Sequence, residues 1–358
     1  MMRDMNRLMG NEGSADAPAA NPDPAARGPV SLRARVADIE QTWLTLGLIV
    51  VLILALALSG VGVLDPANLS NIGRATGPLL ILGTAAALVI LGRGIDLSAA
   101  SVAAVAAQLF VWLVGVQGYG EFSALLICLA VSIVLGAING VIIVWGQVPA
   151  LFVTLATWQL YLGLFRLFVS NETNAVLPED STIVSWMGDG SLLGIPASLV
   201  IAGAVVLIVS LVLRFTSVGW FYRAVGDNFV TAQLTGIPER ALRLSSYVMS
   251  SILAGLTGLV LLGVAGSFTT AYGSSESILF DAITIAIIGG FSLAGGRGSI
   301  RGVVVAALLI AVVQNGMTLM NFTVVATTLT KSLILLVAIA VDAWLHPESE
   351  ETVRAGDL

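Results

Sequence analysis

Stretches of about twenty mostly apolar residues follow one another along the chain, each long enough to cross the hydrocarbon core of a bilayer. About ten such segments can be drawn, at 43–63, 74–92, 97–116, 122–144, 150–169, 195–214, 243–265, 279–294, 301–320 and 324–345. The segment after Phe280 is the least regular, because Gly289, Gly290, Gly295 and Gly296 cut it short. Composition points the same way. Of 358 residues, 57% are hydrophobic and 11% charged, against roughly a quarter charged in a soluble domain. A soluble fold built from this chain would lack the polar surface to cover its core. The expected class is an all-α polytopic membrane protein.

Loop charge sets the direction of the crossings, since arginine and lysine accumulate on the cytoplasmic side. With a cytoplasmic N-terminus, Arg3, Arg7, Arg27, Arg33, Arg35, Arg93, Arg214, Arg223, Arg240, Arg243, Arg297, Arg301 and Arg354 fall inside. Only Arg74, Arg166 and Lys331 fall outside or toward the outer leaflet, so thirteen of the 16 cations lie inside. That division requires an even number of crossings and places both termini in the cytoplasm. Residues 1–40 are polar and rich in Ala, Pro and Asn, and are expected to be a mostly disordered cytoplasmic tail. They do not form a secretory signal, because the apolar run starts too late and no small-x-small cleavage site follows. Ser31 to Gln41 has the pattern of a short amphipathic helix lying on the membrane. A transmembrane domain then fills 41–345, and 346–358 form a second cytoplasmic tail. Two connections are long. The polar stretch Ser170 to Gly194 is expected to face the periplasm, and Thr216 to Leu242, with Arg223 and Arg240 inside it and Arg243 just beyond, the cytoplasm.

Several function classes are excluded by what is missing. No Gly-x-x-x-x-Gly-Lys-Ser/Thr phosphate loop occurs, and the sole lysine, Lys331, has no glycine beside it. The sole histidine, His346, follows the last crossing, and the sole cysteine, Cys128, sits in an apolar run. No disulfide, no metal-ligand spacing and no nucleophile–base set can be assembled, so no catalytic residue, metal ligand or cofactor is expected in this chain. No block of like charge suits a nucleic acid. If transport is ATP-driven, another chain must hydrolyse the ATP and hold its magnesium.

Three stretches interrupt the apolar pattern. Gly92-Arg-Gly-Ile-Asp-Leu-Ser-Ala-Ala-Ser-Val places glycines before Asp96, Ser98 and Ser101. Asp96 or Ser98 can cap the helix that follows, and the break can also line a translocation cavity, since irregular backbone survives at membrane depth only beside protein or water. Gly226-Asp-Asn-Phe-Val-Thr-Ala-Gln-Leu-Thr-Gly-Ile-Pro-Glu-Arg reads as a short helix stopped by Gly236, with Ala232, Leu234 and Ile237 offering a small apolar surface for a partner's groove; an ordinary amphipathic loop helix reads the same way. Ile287-Ile-Gly-Gly-Phe-Ser-Leu-Ala-Gly-Gly-Arg-Gly-Ser-Ile-Arg-Gly is suited to close helix packing. The first and third stretches echo one another, each a glycine-rich break before a small-residue helix, as in transporters built from two related halves. Asn139, Gln147, Trp158, Gln159, Tyr161, Gln314, Asn315 and Asn321 are amide or aromatic residues in or near crossings, suited to a sugar cavity or to interhelical hydrogen bonds. Asp281 and Lys331 are the ionisable pair at membrane depth, expected to pair or snorkel.

Taken together these motifs resemble the ribose/xylose/arabinose-type ABC sugar permeases, within the larger group that includes branched-chain amino acid permeases. Gly94-Ile-Asp-Leu-Ser with Ser101-Val, Val148-Pro-Ala with Thr154-Leu-Ala-Thr, the loop at Gly226 to Ile237, and Gly289-Gly-Phe-Ser-Leu-Ala-Gly-Gly-Arg-Gly-Ser-Ile followed by Asn315-Gly carry the resemblance, which runs from about 45 to 345. Arg93 departs from it where glycine is usual, Ala99-Ala100 where valine-glycine is usual, and Phe229 and Thr231 replace typical loop residues. The resemblance implies a bacterial inner membrane, a type II, vitamin-B12-permease-like fold, a second permease subunit (identical or a paralogue), a cytoplasmic ATPase and a periplasmic solute-binding protein. It further implies that Gly226, Asn228, Thr231, Ala232, Leu234, Gly236 and Ile237 form the coupling element that receives ATPase motion. Asp96, Ser98, Asn139, Trp158, Gln159 and Asn315 are the expected pathway residues. The rival readings are an ion-coupled secondary transporter, for which Asp281 is the plausible coupling carboxylate, and a membrane protein without transport activity.

Overall fold

A computed structural model describes residues 41–172, 174–269 and 276–345, all within the unit Ile39–Leu358. The tails, with nearly all of the helix expected at 31–41, lie outside the described residues. The elements in chain order are α1 (Gln41–Leu58), α2 (Pro66–Leu91), α3 (Ala99–Val111, continued as a π turn through Trp112–Val116), α4 (Glu121–Trp145), α5 (Ala150–Phe168), β1 (Asn174–Val176), α6 (Ile183–Asp189), β2 (Ser191–Leu192), β3 (Ile195–Pro196), α7 (Ala197–Phe215), α8 (Ser217–Asp227), α9 (Phe229–Leu234), α10 (Glu239–Ala265), β4 (Ser267–Thr269), α11 (Glu276–Ile288), α12 (Ile300–Leu319) and α13 (Val324–Leu345). Among the described residues, eight helices are long and apolar enough to cross a membrane: α2, α3 with its π turn, α4, α5, α7, α10, α12 and α13. Two shorter apolar helices, Thr45–Leu58 in α1 and Ile278–Ile288 in α11, account for the other expected segments.

The helix ends differ from the hydropathy pattern for local reasons. α1 stops at Leu58, five residues short of 63, where Gly60 and Gly62 take positive φ angles of 74° and 71°. α2 starts at Pro66, eight residues before 74, with proline in the first turn, where its fixed φ suits helix entry. Its polar start, Asn68-Leu-Ser-Asn-Ile-Gly-Arg, hid the helix from an apolar count, yet Asn68 and Arg74 are partnered by other elements. α11 has only 13 residues, about 20 Å at 1.5 Å per residue against a core of about 30 Å. It ends at Gly289-Gly290, and Gly290 has a φ of 86°.

α10 lies at the centre, packed against α2, α3, α4 and α6, while α2 packs against α7, α11 and α12. Small residues set these crossings, because in a bilayer helices associate by close van der Waals contact more than by the hydrophobic effect. A side chain at Gly258 of α10 would collide with the backbone of Ala103 in α3, and one at Gly302 of α12 with the Gly289 carbonyl. The fully buried set includes Phe110, Ile81, Leu259, Leu262, Ile285 and Ile310. α13 packs chiefly on α11 and α12, and none of its span is buried.

The segment 170–194 is folded. β1 pairs antiparallel with β4, and β2 and β3 form a hairpin turned by Leu193 and Gly194, with φ angles of 54° and 82°. Glu121, in the first turn of α4, accepts the backbone N–H groups of Thr182 and Ile183. A carboxylate there satisfies donors that the start of α6 would otherwise leave open. Arg74 forms an ion pair with Asp189 at the end of α6.

Candidate translocation and coupling site

The break between α2 and α3 is held by a closed set of hydrogen bonds. The Asp96 carboxylate accepts the Ser98 backbone N–H at 3.0 Å and the Ser98 hydroxyl at 2.6 Å through Oδ1, and the Ser250 hydroxyl of α10 at 2.7 Å through Oδ2. Asn139 of α4 donates to Ser98 Oγ at 2.7 Å. Tyr161 of α5 donates to Asn139 Oδ1 at 2.8 Å and to the Leu135 carbonyl at 2.9 Å. The break and α10 thus bond the buried carboxylate directly, and α4 and α5 join the same network through Ser98 Oγ. Asp96, and not the Ser98 side chain, supplies the acceptor at the helix start, since Ser98 occupies the N-cap without a side-chain cap bond. Burying these groups is tolerated because each finds a partner.

The remaining pathway candidates lie elsewhere. Trp158 is buried on α5, whereas Gln159 points outward from the same helix. Asn315 exchanges paired amide hydrogen bonds with Asn68, at 2.8 Å and 3.0 Å, tying α12 to α2. Asn68 was missing from the sequence candidates; its only signal was an amide beside Pro66 at a helix start. Asp281 and Lys331 do pair, at 2.9 Å, and Gln314 donates to the same carboxylate oxygen at 3.1 Å.

The two glycine-rich breaks meet. The Gly296 N–H donates to the Leu91 carbonyl at 3.0 Å, joining the end of α2 to the 289–299 stretch. Gly226 of α8 is buried in the same contact, where a side chain would collide with Leu91 and Gly296. Arg93, beside this junction, has a φ of 62°, a left-handed conformation that costs a non-glycine residue about 1 kcal/mol. Arg93→Gly is therefore expected to raise stability by about 1 kcal/mol, read as a later thermal midpoint of the detergent-solubilised protein.

From that junction the chain turns into α9. Asn228 caps it, with Oδ1 accepting the Thr231 N–H at 2.9 Å, and Gly236, at a φ of 79°, ends it. Ile237 N–H then donates to the Ala232 carbonyl at 3.1 Å. The loop holds two short helices, α8 and α9, instead of one. Its outer face also differs from expectation: Ala232 is 2% exposed, while Val230 is 54% and Leu234 83% exposed. A six-residue helix must anchor itself through one side; Ala232 and half-buried Phe229 do so, which turns Val230 and Leu234 outward. Their i, i+4 spacing was the signal for the missed Val230. Arg243 stands over the Phe229 ring at 5.7 Å.

The family model described as "branched-chain amino acid transport system / permease component" matches residues 68–341. The ribose import permease protein RbsC of Escherichia coli (strain K12) is 31% identical over 276 residues, covering 77% of this chain and 85% of that protein. The fructose import permease protein FrcC of Rhizobium meliloti is 32% identical, covering 74% and 75%. The probable ABC transporter permease protein y4mJ of Sinorhizobium fredii is 31% identical, covering 89% and 94%. No solved structure matches significantly. With the matched region running from the buried Asn68 amide into the last helix, this multi-pass chain belongs to the branched-chain amino acid transport system / permease component family of ABC transport permeases.

Proposed function

We propose that the chain is the membrane-spanning permease subunit of an ABC importer that carries a monosaccharide or sugar-like solute into the cytoplasm. The observation that carries this reading is its similarity, over most of both chains, to permeases of ribose and fructose import. In this reading α1 and α11 complete ten crossings of a type II, vitamin-B12-permease-like fold, and residues 1–40 and 346–358 are cytoplasmic tails on either side of the 41–345 domain. A separate ABC ATPase binds ATP and magnesium, a periplasmic binding protein delivers solute, and a second permease subunit, identical or a paralogue, completes the pathway. The chain itself makes and breaks no covalent bond.

The 216–242 loop is the coupling element. Gly226 keys α8 onto both glycine-rich breaks, Asn228 and Gly236 set the two ends of α9, and Ala232 and Ile237 anchor it. Thr231 and Leu234, with Val230, face the ATPase. The Asp96–Ser98–Asn139 circuit fixes the wall of the break, with Trp158, Gln159 and Asn315 on the helices around the pathway. An ATPase motion delivered at α9 thus reaches the α2–α3 break and the start of α12 through a single contact. An exposed Val–Leu pair beside a rigid turn suits a partner's groove.

The test is co-purification with the ATPase and ATP-driven uptake in proteoliposomes that also contain the binding protein. Val230→Asp combined with Leu234→Asp is expected to weaken ATPase association about tenfold or more and to abolish uptake, with the thermal midpoint unchanged because both positions are solvent-facing. Full coupling by this double variant would remove α9 from the coupling role.

A further inference from the structure

We propose that the cleft between α11, α12 and α13, lined by Asp281, Gln314, Asn321, Phe322, Thr327 and Lys331, is a binding site for an uncharged, hydroxyl-rich solute of sugar size. The proposal rests on the permease reading and names where in this chain the solute is held. The cleft has a volume of about 630 Å³, within the range of small-molecule sites.

Its lining is wrong for lipid. α13 turns Leu329, Leu333, Leu336 and Val337 outward, as a lipid-facing surface requires. The strip Val324, Thr327, Thr328 and Lys331 instead lines the cleft, opposite Asp281, Gln314 and Thr318. Amides, hydroxyls and an ion pair left against hydrocarbon would cost several kcal/mol. The concavity therefore holds water or a polar ligand.

The charges select the ligand class. Lys331 and Asp281 neutralise one another at 2.9 Å, and Gln314 holds the same oxygen at 3.1 Å. Both contacts use Oδ2, so Oδ1 makes no hydrogen bond among the described residues. A net-neutral lining that still offers a carboxylate oxygen and amide groups complements hydroxyls, which donate and accept at once. A zwitterion such as an amino acid would have to split the ion pair. At the mouth, Phe322 is 50% exposed and presents an aromatic face to the C–H side of a sugar ring.

The only cysteine, Cys128, is buried, so an introduced thiol can be tagged without background. In proteoliposomes, Thr327→Cys is expected to react with a membrane-impermeant methanethiosulfonate. Leu329→Cys, two residues on and so about 200° round the helix, is expected not to react. Millimolar D-ribose, D-fructose or D-xylose should slow Thr327→Cys labelling about threefold, as two-thirds occupancy gives, and L-leucine should not. Equal reactivity at both positions overturns the water-lined cleft. Protection by L-leucine in place of every sugar overturns the ligand class, and protection by none overturns the binding site. ATP-driven uptake with the ATPase and binding protein separates this proposal from the reading beneath it. A wild-type complex that transports none of the sugars refutes the sugar-import reading; active wild type with equally active Gln314→Leu and Thr328→Val refutes the cleft alone. Uptake reduced about tenfold in both variants, with unchanged thermal midpoints, supports it.

Discussion

Asp96→Ala is expected to destabilise the protein by about 3–5 kcal/mol, because it strands three buried donors at once. The Ser98 N–H, the Ser98 hydroxyl and the Ser250 hydroxyl all point at this carboxylate. None can turn to water, since Ser98 and Ser250 are both fully buried. The damage then spreads: Ser98 Oγ is the acceptor for Asn139, which is the acceptor for Tyr161. Ser250→Ala removes one donor and leaves the carboxylate with two, so its cost is expected near 1 kcal/mol. Asp96→Asn keeps one acceptor oxygen but turns an N–H₂ group toward a donor, which places it between the two. The midpoint of thermal aggregation in detergent, read by size-exclusion chromatography, gives the order Asp96→Ala, Asp96→Asn, Ser250→Ala. An Asp96→Ala protein as stable as the wild type would mean that the break is held by backbone packing and that the carboxylate is idle.

That network also marks the boundary of what the sequence could show. Crossings were legible wherever a helix is apolar over its whole length, as in α4 and α7. They were misjudged where polar residues are helical, as at Asn68 and Arg74, because a one-dimensional count scores an amide as an interruption whether or not another helix satisfies it. Asp281 and Lys331 could be matched from sequence because opposite charges are so rare at membrane depth that each leaves the other as its natural partner. Asp96, Ser98 and Asn139 could each be singled out as polar, but not joined. The contacts that unite them span 41 residues from Ser98 to Asn139 and 154 from Asp96 to Ser250, with no local pattern to announce them. The outer face of α9 failed for a related reason: on six residues the anchoring side is decided by what lies beneath, which only the packing of α8 and α10 reveals.

The two glycines of the 216–242 loop are expected to respond differently to an added side chain, and this contrast isolates what each one does. Gly226 lies where the Leu91 carbonyl and the Gly296 backbone close over α8, so any side chain there must push main chain aside. Overpacking against backbone leaves no flexible neighbour to yield, and Gly226→Leu is expected to cost about 3 kcal/mol or more. Gly236 faces open space, and its only demand is a left-handed backbone, with a φ of 79°. Gly236→Ala should therefore cost about 1 kcal/mol and leave the helices around it undisturbed. Function should split differently from stability. If α8 transmits ATPase motion through its seat on both breaks, even Gly226→Ala should uncouple ATP hydrolysis from solute uptake, while ATPase association at Val230 and Leu234 persists. Gly236→Ala should retain most of both. The measurement is uptake per ATP hydrolysed in proteoliposomes, alongside co-purification of the ATPase. Tight coupling retained by Gly226→Ala would show that the loop communicates with the crossings by some route other than this three-way contact.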